Sequence, residues 1–213
     1  MWYNSLSETS HTEELNMNNV ISIQKADIGI IGAMQIEVEA LCAAMENTES
    51  RTVGNMTFVY GDLRGKKVVC AKCGVGKVFA AMCAQTMILQ YAPDCIVNSG
   101  VAGTLSESLS IGQIALAEQV VQHDMDTSPI GDPVGLISGI NLVYIPADPA
   151  VTDALAAAVC SVGVPYLRGT VASGISSSAN GRSRPASRAA LRPTASPSLP
   201  ARWRAPPSGR YAT

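Results

Sequence analysis

Apolar and polar positions fall in short alternating blocks along the first 174 residues. DIGIIGAM (27–34) is an apolar run closed by Gly32. QIEVEALCAAMENT (35–48) continues with Val38, Leu41, Cys42 and Met45 at helical spacing, which predicts strand, tight turn, helix. TFVYGDLRGKKVVCAKCG (57–74) reads as two strands joined at Arg64-Gly65. GKVFAAMCAQTMILQYA (76–92) predicts a long helix, and DCIVNSGVAG (94–103) a buried strand that ends in a glycine loop. IALAEQVVQHDMD (114–126) is strand-like and SPIGDPVGLISG (128–139) is loop. DPAVTDALAAAVCSVG (148–163) is a helix begun by Asp148-Pro149, and VPYLRGTVASG (164–174) a further strand. Strands alternating with helices argue for an α/β fold in which a sheet is covered on both faces.

The pattern stops at Gly174. From Ile175 to Thr213 the chain is rich in Ser, Arg, Pro and Ala and has no acidic residue. Residues 1–174 hold all 17 acidic residues against 8 Lys+Arg, a net −9, whereas 175–213 hold seven Arg, a net +7. The first 26 residues are polar and weakly patterned. Three segments follow: an N-terminal extension over 1–26, a folded domain over 27–174, and a basic tail over 175–213 that buries too little apolar surface to offset its ordering entropy and is expected to be disordered. An Arg-rich arm could neutralise phosphates, but the tail has only Trp203 and Tyr211 as stacking groups and no motif, so no nucleic-acid partner is expected.

The six cysteines lie in apolar runs, no secretory signal is visible, and no apolar run approaches the roughly 20 residues that span a bilayer, so a reducing cytoplasm and no membrane are expected. Cys70-x-x-Cys73 has no second pair at ligand spacing and reads as structural thiols, with no metal. The nucleotide fingerprints fail. Gly29-x-x-Gly32 lacks the G-x-G-x-x-G order, and Gly76-Lys77 is followed by Val78 instead of Ser or Thr.

Three segments read together, IGIIGAMQIEVEAL (28–41), KCGVGKVFAA (72–81) and IVNSGVAGTL (96–105), resemble the 5′-methylthioadenosine/S-adenosylhomocysteine nucleosidases of the nucleoside phosphorylase superfamily. HDMD (123–126) and RGTVASG (168–174) extend the resemblance. It implies a three-layer αβα sandwich with a mixed central sheet, here C-terminally truncated. It also implies hydrolysis of the adenine–ribose bond through an oxocarbenium-like transition state, without metal or organic cofactor, by a homodimer acting on a small nucleoside. Glu37 takes the position of the water-activating carboxylate. Met34 would line the ribose site, Val75 would pack around the 5′-alkylthio group, and Val101, Ala102 and Gly103 would form the loop beside the nucleoside, Val101 standing where the family usually has Ser. Without the resemblance, Glu37 and Glu39 need no explanation beyond favourable carboxylates early in a helix. His123, flanked by Asp124 and Asp126, is read as a loop residue near the pocket or subunit interface. A phosphorylase and a futalosine-type hydrolase are the alternative activities.

After the Ser-Gly at 173–174 the family continues with G-D-x-F, whose Phe stacks on adenine, then M-E-x-E on the ribose hydroxyls, then S-D, whose Asp is the general acid. None is present. Ile175 to Ser178 encoded as ATC AGT TCA TCA, read one base earlier from a Gly codon ending in G, gives Asp-Gln-Phe-Ile and restores G-D-x-F. In the same offset Ala201 to Gly209 can yield Glu-Met-Glu-Gly-Ala-Ala-Ile, the single Trp203 codon supplying the TG of Met. A base deletion near codon 174 is therefore expected, with little or no turnover by this chain and an unpaired sheet edge that favours aggregation.

Overall fold

The computed structural model describes residues 23–174. The first 22 residues of the N-terminal extension and the basic tail from 175 onward lie outside the described residues. The described residues divide into two compact units, one of 23–74 with 80–99 and one of 75–79 with 100–174.

In the first unit, β1 (Ile28–Gly32), β2 (Glu46–Val53), β3 (Met56–Leu63), β4 (Lys66–Lys72) and β5 (Cys95–Asn98) form one sheet in the order β2-β3-β4-β1-β5. β1 lies between β4 and β5 and is parallel to both, while β2-β3-β4 is an antiparallel meander. The sheet is therefore mixed. Its faces follow the two-residue period of a strand. Val68 and Cys70 point to one side, where Val38 of α1 (Gln35–Ala43) and Met45 pack with them. Val69 and Ala71 point to the other, where Cys83, Met87 and Tyr91 of α2 (Lys77–Tyr91) join Phe58 and Ile31. Helix, sheet and helix are thus three layers around two cores.

The α/β class and mixed pairing agree with the sequence reading, and three local features differ from it. Helix α1 ends at Ala43 instead of running on through ENT, because Glu46–Val53 is a strand. Seven of the eight β2 positions are exposed, so its sequence ENTESRTV carries no apolar signal for a strand. The last residues of the polar N-terminal segment belong to the unit: Ala26 is fully buried and its N–H donates to Tyr91 O at 2.8 Å. The Arg64-Gly65 hairpin is as expected, both residues having positive φ (49° and 78°) in the two-residue turn that matches strand twist.

In the second unit, β6 (Ile114–Gln122) lies between β7 (Tyr144–Pro146), antiparallel to it, and β8 (Tyr166–Ser173), parallel to it. Helix α3 (Pro149–Ser161) covers β6 through buried Thr152 and Ala156, Thr152 donating to Ala117 O at 3.3 Å. A 3-10 turn over Ser128–Ile130 interrupts the segment expected to be loop, and the short strand β7 had no pattern to announce it.

Candidate functional site

The turn after β1 is shaped by Gly32. A Cβ there would lie 2.6 Å from Val38 Cγ1 and 3.1 Å from Glu37 Cβ, so only glycine lets the strand pass this close to the helix that follows. Met34 is the extended residue that caps α1 and is 38% exposed. Glu37, three residues into the helix and half-buried, folds back over the turn. Its Oε2 accepts from Ala33 N at 2.7 Å and from Met34 N at 2.8 Å.

Two orphan donors of the helix start are thereby satisfied, which is the glutamate half of a capping box. The same contacts fix the carboxylate's orientation in advance, the condition under which a group can act on a reacting water without reorganising. Glu39 is exposed on the same helix. Beside this turn, the exit of β4 is tied to it by Cys73 N on Gly32 O at 2.8 Å and Gly74 N on Ala33 O at 3.1 Å. Burial pushes the Cys73 thiol up, and the negative charge of Glu37 adds to the effect. Cys70 is fully buried, so the Cys-x-x-Cys pair is part of the core packing.

Met34 and Glu37 are thus brought together in the first unit. The other residues singled out from the sequence belong to the second. Val75 is 74% exposed and sits between Gly74 and Gly76, whose φ values are 93° and 116°. Val101 is 78% exposed, and Ala102 and Gly103 are exposed beside it in the loop after β5. A Cβ on Gly103 would meet nothing within 4 Å, so neither packing nor a positive φ requires glycine at that position. His123 continues the β6–β8 pairing, its N–H donating to Ser173 O at 3.1 Å, and its ring lies against Gly174.

Sequence reading did not find Lys77. Its ammonium donates to Gln122 Oε1 at 3.0 Å and to Asp124 Oδ1 at 2.9 Å, partners 45 and 47 residues away. The signal that could have found it is a cation in the first turn of a helix, where the dipole disfavours one.

A family model for the phosphorylase superfamily matches residues 27–192. Over 148 residues the chain is 41% identical to the 5′-methylthioadenosine/S-adenosylhomocysteine nucleosidase of Shewanella oneidensis, a match over 69% of this chain and 62% of that protein. The chain thus spans less than two thirds of that relative's length. Among solved structures it is similar to the nucleosidase of the same name from Neisseria meningitidis in complex with methylthio-immucillin-A, with TM-score 0.67, 31% identity and coverage of 69% of this chain and 64% of that one. It is also similar to native futalosine hydrolase of Helicobacter pylori, with TM-score 0.66, 30% identity and coverage of 72% and 65%.

Proposed function

Because the chain belongs to the phosphorylase superfamily, we propose that its reaction is hydrolysis of the N-glycosidic bond of 5′-methylthioadenosine and S-adenosylhomocysteine, releasing adenine. The observation that carries this reading is the Glu37 carboxylate anchored on Ala33 N and Met34 N in the turn after β1, in a chain 41% identical to such a nucleosidase. The bond from ribose C1′ to adenine N9 breaks with its electron pair leaving on the purine. Water forms the new C1′–O bond and gives its proton to Glu37, and adenine takes a proton from an acid. Two groups share the work as two carboxyls do in glycosidases. Met34 lines the ribose, Val75 packs on the 5′-alkylthio group, and Val101, Ala102 and Gly103 border the nucleoside. A glycine at 103 that packing does not need supports close approach of a ligand there.

The resemblance puts the general acid, the adenine-stacking Phe and the ribose-binding carboxylates after Gly174, and the residues there do not match. The shift in reading frame near codon 174 accounts for that. Adenine release by this chain is accordingly slow, and insertion of one base at that codon restores it. In the restored protein, Glu37→Gln lowers kcat by about 10²- to 10⁴-fold. A restored Glu37→Gln enzyme that splits methylthioadenosine at its parent's rate overturns the reading. Adenine release that requires phosphate reassigns the reaction to a phosphorylase, and a strong preference for a futalosine-type nucleoside reassigns the substrate.

A homodimer is part of the same proposal. It is supported by a run of exposed apolar side chains on α2, with Val78 72%, Met82 54% and Leu89 59% accessible. Among the described residues no helix is long and apolar enough to cross a membrane. The buried thiols of Cys70, Cys73 and Cys83 support a reducing, cytoplasmic setting.

A further inference from the structure

Lys77 is the first residue of α2, the end of a helix that repels a cation. Its ammonium is nonetheless held there, with 26% of its side chain exposed and 21% of that of its partner Asp124. Three donors on one nitrogen suit the two acceptors it has, Asp124 Oδ1 at 2.9 Å and Gln122 Oε1 at 3.0 Å. Those acceptors stand on firm ground. Gln122 ends β6 in register with Ser173 of β8, and His123 N donates to Ser173 O one residue later.

Two residues before Lys77 is Val75. The glycines on either side of it have positive φ, so this stretch has no stiffness from side-chain sterics and its path is set by its anchors. On one side the anchor is Gly74 N on Ala33 O. On the other it is the Lys77 ammonium.

We propose that Lys77, held by Asp124 and Gln122 at the end of β6, is a positioning residue that sets where Val75 stands and so sets the preference for 5′-alkylthio over 5′-hydroxyl nucleosides. The substrate half rests on the nucleosidase reading, whereas the anchoring half rests on the contacts alone. Removing the cation does not weaken α2 itself, since it relieves an unfavourable interaction with the helix dipole. A loss seen in Lys77→Met therefore reports the missing anchor.

The test uses the full chain and the variants Lys77→Met, Lys77→Arg and Val75→Ala. Amide hydrogen exchange is followed over 80–83, the first amides of α2 that donate to carbonyls of the preceding turn, and binding of methylthioadenosine and of adenosine is measured by equilibrium dialysis. In Lys77→Met, exchange over 80–83 rises about tenfold while β1 and β4 exchange as in the parent. The preference for methylthioadenosine narrows by about an order of magnitude, the size of one lost apolar contact in a pocket. Lys77→Arg keeps both near parent values, and Val75→Ala loses the preference without faster exchange. A merely structural ion pair would leave the ratio of the two affinities unchanged, and that result overturns the positioning role. Parent-like exchange in Lys77→Met overturns the anchor. Should the parent bind neither nucleoside, the two affinities are measured in the frame-restored protein and its variants; if neither nucleoside binds there, the nucleosidase reading and the specificity half fall together, and exchange in the full chain decides the anchor.

Discussion

At Gly32 the backbone of β1 leaves so little room that a methyl group would stand 2.6 Å from Val38 Cγ1. Gly32→Ala is expected to lower stability by about 1–3 kcal/mol, the range for forcing extra volume into a packed site, measured as the urea midpoint. A second residue-scale expectation concerns alkali. Burial pushes the Cys70 thiol up to about 12, with Cys42 nearby adding to it, and burial pushes Cys83 up to about 11, with Cys73 adding. In the unfolded chain such thiols lose their proton near pH 9, while the folded protein keeps it, so the folded state binds more protons between these values. Stability is therefore intact below pH 9 and falls as pH rises from about 9 toward 12, by about 1.4 kcal/mol per pH unit for each buried thiol. Urea midpoints at pH 8, 9 and 10 check this, and Cys70→Ala should flatten the slope. In the sequence Glu37 shows only a carboxylate in a first helical turn, for which capping is reason enough. Its proposed role came from three motifs in register. The Lys77 contacts were not legible because their partners lie more than forty residues away, beyond any local pattern.

Elements whose signal is local were legible at once. Asp148-Pro149 announces α3, and the structure has Asp148 as the cap, its Oδ1 accepting from Val151 N at 3.0 Å, with Pro149 in the first turn. Asp148→Ala should cost about 1 kcal/mol, read as a lower midpoint in urea with no change in cooperativity. Elements defined by pairing alone were not legible. β2 is polar on both faces and is a strand because β3 offers it a hydrogen-bonding edge, with a register shift between Glu46 and Glu49. The helical period of α1 suggested continuation past Ala43, but Met45 turns instead into the core with Val68 and Cys70. A hydrophobic pattern records burial, so an exposed strand leaves no trace in it.

At the scale of the whole chain, its charge is split into an acidic body and a basic tail, and the family model runs to residue 192, past the last matching motif at Gly174. Sequencing across codons 170–195 in independent clones decides how that segment is read, and an intact frame would end the proposed shift. Self-association belongs to this scale as well. Sedimentation should show the chain as a dimer or larger, and Met82→Glu with Leu89→Glu on the exposed side of α2 should shift it toward the monomer.

The two borders of the five-stranded sheet are unlike. On one runs β2, with Glu46, Glu49 and Arg51 exposed and its register broken. On the other is the short β5, whose Ile96 and Val97 are half-buried and which pairs in parallel with β1. Charges and a bulge make the first border a poor template for another strand. A copy of the sheet approaching β2 therefore meets charge and a broken register in place of a straight ladder of free backbone groups. Accretion across that border is thus stopped, and a continuous ribbon cannot grow through it.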